Sequence, residues 1–217
     1  MLQKIPHARA LMAAFLLIAL AGLAGCELLA AQTRAQGREV AAQYAGLADK
    51  SLAIVVYLPP ATIDEYSGAR EEISSFIASQ MRQHLPTTRL LNPRDVIAWQ
   101  NNTINWYALP EKDIGRHFSV DRVLYIEVTD YSTRRTIGYS DLQGHLRARC
   151  KIFETDDPST SAAWTGVVDA SWPTDRPLDP TQTNDGAVRI RTLEMFADQL
   201  VQYFYDHRDL GLDPRER

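Results

Sequence analysis

The succession of patterns along the chain predicts an α+β domain. It should have a single mixed β-sheet of about five strands, the C-terminal three an antiparallel meander, with amphipathic helices packed mainly on one face. Three observations carry this expectation. An apolar, β-branched run at Leu52–Leu58 is followed by a long helical stripe. Leu142–Phe153 and Ala163–Trp172 alternate in strict period two, and a second helical stripe comes near the end of the chain.

The first run, Ser51–Leu58, is apolar at almost every position and stops at Pro59-Pro60, as suits a strand covered on both faces. From Asp64 to Leu85, the residues Ile73, Phe76, Ile77, Met81 and Leu85 recur every three or four positions, with Arg70, Glu71, Glu72, Arg82 and Gln83 on the other faces. That spacing predicts one amphipathic helix ended by Pro86. Arg89-Leu90-Leu91 reads as a brief strand. Asn92-Pro93 supplies a cap and a first-turn proline for a short helix through Trp99, and Pro110 opens another over Glu111–Phe118.

Arg122–Tyr131 is rich in β-formers. In Leu142–Phe153, Leu142, Gly144, Leu146, Ala148, Cys150 and Ile152 share one face, while Gln143, His145, Arg147, Arg149 and Lys151 share the other. Ala163–Trp172 repeats the alternation through Trp164, Gly166, Val168, Ala170 and Trp172. The links 132–141 and 154–162 are of hairpin length, with Gly138 in the first and Asp156-Asp157-Pro158 in the second. After a Pro-rich loop, Asn184 or Asp185 caps a last helix whose apolar face is Ile190, Leu193, Phe196, Ala197, Leu200 and Phe204.

An early apolar strand ending in Pro59-Pro60, a long amphipathic helix, and then Phe118-Ser119-Val120-Asp121-Arg122-Val123-Leu124-Tyr125-Ile126-Glu127-Val128 resemble the TolB N-terminal/CsgG/LpoB type of periplasmic lipoprotein domain. The likeness covers Leu52–Tyr205. Phe118-Ser119 stands where that group usually has Leu-Gly. The resemblance implies a non-enzymatic accessory role in envelope assembly, secretion or transport, and it transfers no functional residue.

The N-terminus gives an address. Lys4 and Arg9 precede an apolar run, Leu11–Leu23, of roughly a dozen residues, the length of a signal-peptide core. A membrane-spanning helix needs about 20. Leu23-Ala24-Gly25-Cys26 then resembles the lipobox of bacterial lipoproteins, with cleavage between Gly25 and Cys26 and a lipid on Cys26. Each buried methylene contributes about 0.8 kcal/mol, so two or three acyl chains anchor a protein durably. Glu27, where Asp favours inner-membrane retention in that group, tilts the expectation to the outer membrane, with the protein facing the periplasm. The expected organisation is therefore 1–25 signal peptide, 26–50 lipidated Cys and tether, 51–207 the α+β domain, and 208–217 a frayed charged tail.

Removing residues 1–25 deletes two cations and no acid, which takes the formal charge from −4 to −6. A mildly acidic chain lacks the basic footprint of a nucleic-acid binder. With Cys26 alkylated, Cys150 is the one remaining thiol, and it is expected to be buried rather than nucleophilic.

No glycine-rich phosphate loop, Gly-x-Ser-x-Gly elbow or closely spaced His/Cys set occurs. No metal, cofactor or catalytic residue is therefore assigned. A hydrolase would need a site assembled in space from several of His84, His117, His145, Asp130, Asp141 and Glu127. An alternative is a transport-auxiliary or lipid-handling protein with an apolar ligand between helix Glu65–Leu85 and the sheet.

The leading expectation is a membrane-anchored accessory protein with a protein partner in the envelope. Oligomeric state does not follow from the chain. Two partner surfaces stand out. The face His145, Arg147, Arg149 and Lys151 would meet an acidic partner or lipid phosphates, or else be a solvated sheet face paired with Glu127 and Asp169. Trp99, Trp106 and Tyr107 in the aromatic connector would form a contact surface, or else close over the sheet edge.

Overall fold

The computed structural model describes residues 38–134, 141–181 and 183–209. The expected signal peptide, Gly25 and Cys26, the tether up to residue 37, the Gly138 turn and residues 210–217 lie outside the described residues. In chain order the elements are β1 (Arg38–Val40), β2 (Ser51–Tyr57), α1 (Pro60–Glu65), α2 (Ala69–His84), β3 (Arg89–Leu90), α3 (Pro93–Asn102), a 3-10 turn (Trp106–Ala108), α4 (Glu111–Phe118), β4 (Arg122–Arg134), β5 (Leu142–Glu154), β6 (Trp164–Trp172), α5 (Asp185–Val201), a second 3-10 turn (Gln202–Phe204) and β7 (His207–Asp209).

Among the described residues, 41–207 form one unit, and 38–40 with 208–209 belong to another. β1 and β7 pair in a two-stranded sheet of their own, where Arg208 and Glu39 are 3.3 Å apart. Arg208 and Asp209, expected in a frayed tail, are thus in a strand.

The large unit is built on a five-stranded sheet in the order β3-β2-β4-β5-β6. β2 runs parallel to β3 and β4, with Val55 opposite Tyr125. β4, β5 and β6 are antiparallel, with Ile126 opposite Cys150 and Cys150 opposite Gly166. The architecture is therefore α+β with a mixed sheet and a C-terminal antiparallel meander.

The two long helices, α2 and α5, cover one sheet face. Leu52, Ile54, Val56, Leu124, Ile126, Leu146, Ala148 and Cys150 meet Ile73, Ile77, Met81, Leu193, Phe196 and Leu200 there, all buried. The space between α2 and the sheet is filled by these side chains. Gly144 makes the α5 approach possible, because a Cβ there would run into Thr192 Oγ1. The opposite face is covered by the short helices. Val96 of α3, Trp106 and Ile114 of α4 pack on Ala53, Val55, Val123 and Tyr125.

Four further sequence expectations change. The helix expected over Asp64–Leu85 is two helices, α1 and α2, broken at 66–68. At the break, Tyr66 turns inward and its ring meets Tyr131 edge-on at 4.8 Å. Residues 41–50, expected in the tether, are packed on the domain. Gln43 and Tyr44 donate their backbone N–H groups to the Tyr203 carbonyl at 2.8 and 3.1 Å, and Leu47 is fully buried. Tyr44 donates to Glu154 at 2.8 Å and accepts from Arg122 at 2.9 Å, and burial first, then the Glu154 hydrogen bond, push its phenol up to about 12. Two anchoring side chains in ten residues make no periodic pattern. In α5, Ile190 is exposed and Val188 takes the inward place. The short helix α3 runs past Trp99 to Asn102, with Asn92 as its cap, accepting from Arg94 N–H at 3.1 Å.

Candidate functional site

α3 and α4 cover only part of the second sheet face. The rest, over the later half of β4 and over β5 and β6, is open. Along β5 the pleat buries Leu146, Ala148 and Cys150 and turns His145, Arg147, Arg149 and Lys151 outward, with Arg147 and Arg149 exposed and His145 and Lys151 half-buried.

Pairing register decides what faces these cations. Glu127 of β4 sits opposite Arg149, which sits opposite Val167 of β6; Arg147 sits between Asp130 and Asp169. Arg149 donates to Glu127 at 3.0 Å, and Arg147 approaches Asp169 at 3.7 Å. His145 bridges two strands, with Nδ1 at 3.0 Å from Asp130 and Nε2 at 2.8 Å from Asp169. The face is a lattice of alternating charge. Exposed pairs of this kind contribute about 0.2–1 kcal/mol each, so their charges are cheaply exchanged for those of a partner.

The aromatic connector divides between core and surface. Trp106 is buried, with its ring 6.2 Å from Tyr57 and 6.5 Å from Tyr125. Trp99 is half-buried, stacked on His117 at 5.3 Å and edge-on to Phe118 at 5.3 Å. Tyr107 is 55% exposed and Ile104 90% exposed. Asn105, between Ile104 and Trp106, takes a left-handed φ of 57°. Asn adopts that conformation more readily than most residues, and it reverses the chain so that Trp106 points in while its neighbours stay out.

The two surfaces that the sequence offers separately are joined by Tyr57. Its ring lies 5.9 Å from Tyr107, and its backbone is in register with Glu127. One continuous surface therefore runs from Ile104 and Tyr107 through Tyr57, Glu127 and Arg149 to Val167, which is 49% exposed. Tyr57 and Val167 stand outside the two surfaces that the sequence singles out, while Ile104 lies within the aromatic connector. Parity along β2 and β6 was the available signal, but only the strand order places those two strands on either side of β4 and β5.

The other candidate groups lie elsewhere. His84 stacks on Tyr205 at 4.5 Å, His117 on Trp99, and His207 Nδ1 is 3.2 Å from the Tyr205 carbonyl. Asp141 is exposed beside the start of β5. Among the described residues no group of three or more His, Cys, Asp or Glu is placed to hold a metal ion. Cys150 is fully buried, and burial pushes its thiol up to about 12. At the β5–β6 hairpin, Asp157 accepts from the Ser159 backbone N–H at 2.9 Å. The buried Lys112 donates to the Asp157 carbonyl at 2.6 Å and to that of Ser159, which ties the hairpin to α4.

No protein-family model matches the chain, and no curated protein matches it. Similar solved structures include a PelC dodecamer from Paraburkholderia phytofirmans, at 11% identity and TM-score 0.43, covering 74% of this chain and 94% of that one. A lipoprotein from Neisseria meningitidis is similar at 17% identity and TM-score 0.43, covering 70% of this chain and 94% of that one. A minor lipoprotein from Acinetobacter baumannii is similar at 12% identity and TM-score 0.35, covering 70% and 90%.

Proposed function

We propose that the protein is a lipid-anchored, non-enzymatic accessory protein that faces the periplasm and works by protein–protein contact in envelope assembly, secretion or transport. The observation that carries this reading is the open half of the second sheet face. There, exposed apolar side chains flank a lattice of exchangeable ion pairs. Apolar and aromatic anchors surrounded by polar groups are the usual composition of a contact surface, and a sheet face left bare by its own helices is a ready place for one. The lipobox-like Leu23-Ala24-Gly25-Cys26 and the resemblance to the TolB N-terminal/CsgG/LpoB type support the anchored, envelope setting. Glu27 favours the outer membrane.

The test is crosslinking and pull-down of the full chain from its native envelope, comparing the natural sequence with Arg147→Glu/Arg149→Glu. Both side chains are exposed, so the melting temperature should stay within a few degrees, whereas capture of the partner should fall at least roughly tenfold, since two pairs turn repulsive. Equal capture by the double variant would defeat the reading.

A further inference from the structure

We propose that the crevice beyond the carboxyl end of β2, where it lies beside β4, binds a small oxyanion, a phosphate or carboxylate group, held by Arg70.

The chain's route creates the place. From β2 it passes through α2, on one sheet face, to β3 on one side. From β3 it returns through α3 and α4, on the opposite face, to β4 on the other side of β2. Strands whose outgoing connections diverge in this way leave a crevice at their carboxyl ends, the general ligand position of open α/β sheets.

Arg70 closes that crevice from the first turn of α2. Its guanidinium lies over the Trp106 ring at 5.8 Å, so a side chain from one sheet face meets an aromatic from the other across the end of β2. Nη1 donates to Asn101 Oδ1 of α3 at 3.0 Å. The adjacent acids are engaged elsewhere: Glu71 pairs with Arg94 at 3.1 Å, and Glu72 with Arg189 at 3.3 Å. Arg70 Nε is buried and, among the described residues, has no acceptor. Desolvation lowers its pKa, with no acid offsetting it. A cation drawn half out of water beside an indole, without a carboxylate, is a costly arrangement that an incoming anion would relieve. The guanidinium is planar, and its N–H fork matches two oxygens of a carboxylate or phosphate.

A second polar group at the same end of α3 is also incomplete. Gln100 is 4% exposed, and its Nε2 donates to the Val56 carbonyl at 3.1 Å near the end of β2. That bond fixes the amide and leaves Oε1 buried with no donor. The oxyanion's parent molecule should therefore carry an N–H or O–H, and Tyr57 and Tyr107 beside Trp106 provide aromatic surface for its body.

The test is titration of the full chain, purified in detergent, with inorganic phosphate and separately with acetate. It is followed by calorimetry and by the NMR signal of the Arg70 Nε–H, assigned from its loss in Arg70→Lys. Saturable binding that shifts this signal is expected with at least one of the two anions. Arg70→Gln should weaken it at least roughly tenfold, the loss of a charge-assisted bidentate contact, and Arg94→Gln should not change it. Absence of saturation with both anions, or equal binding by Arg70→Gln, would overturn the site. If Arg70→Gln fails to fold, the shift in the unsubstituted protein decides alone. Where phosphate binds, phosphatidylglycerol vesicles identify the source. Displacement of phosphate assigns the site to a lipid headgroup and no displacement assigns it to a soluble anion, and both results uphold it.

Discussion

Cys150 shows how one residue's chemistry is set by its strand. It lies on the core side of β5, opposite Ile126 on one flank and Gly166 on the other, with its thiol pushed up to about 12 by burial. The thiolate is the reactive species, so at neutral pH the native protein should resist an alkylating reagent and react only in denaturant; mass spectrometry after each treatment reads this directly. Asp121 carries a pH dependence. Its carboxylate accepts from the Ser51 backbone N–H and from the Ser51 hydroxyl, each at 2.8 Å, and these bonds, the backbone one foremost, hold its pKa below the usual carboxylate value. A depressed folded-state pKa means that the contribution to stability is fully present above the unfolded value of about 3.9 and is lost as pH falls through the folded value. Asp121→Asn should therefore lower the melting temperature at neutral pH, and its deficit should shrink as the solution is acidified below about pH 4. Ser119, two residues earlier, takes a left-handed φ of 53° at the end of α4. Nothing in its identity announces that, since Gly is the residue that usually marks such a position.

At the scale of elements, the connector between α3 and α4 separates packing from contact within two adjacent residues. Trp106 is buried against Tyr57, Tyr125 and the guanidinium of Arg70, so Trp106→Ala should destabilise the domain by about 3–5 kcal/mol in urea denaturation. Tyr107→Ser and Ile104→Ser, at exposed positions, should cost less than about 1 kcal/mol by the same measurement and reduce partner capture. Strands were the most legible elements. Period-two alternation over β5 and β6 was long enough to set both faces, and β5 gained only Glu154. Helix ends were harder to read. The stripe Ile73–Met81 belongs to α2 as expected, but the break at 66–68, where Tyr66 packs on Tyr131, keeps Asp64 and Glu65 in α1. In α5, the side that meets Gly144 is Val188 and Thr192, both buried, and Ile190, expected on the apolar face, is left exposed.

At the scale of the whole molecule, the proposed lipidation at Cys26 and the open face involve different parts of the chain and can be tested apart. Cys26→Ala should leave an unprocessed precursor, seen as a larger band that retains residues 1–25, while normal processing of the variant would refute lipidation at Cys26. Arg147 and Arg149 should then affect capture without affecting processing. The sequence by itself determined the α+β class, the meander and the buried side of β5, because each is written in neighbouring residues through strand or helix periodicity. Only the tertiary structure decided that residues 41–50 belong to the domain, that Glu127, Asp130 and Asp169 face the basic row, that Tyr57 unites that row with the aromatic connector, and that Arg70 lies over Trp106 with no carboxylate partner among the described residues. Those facts depend on strand order and on which sheet face each crossover takes, and they join residues from 15 to more than 100 positions apart that no local pattern connects.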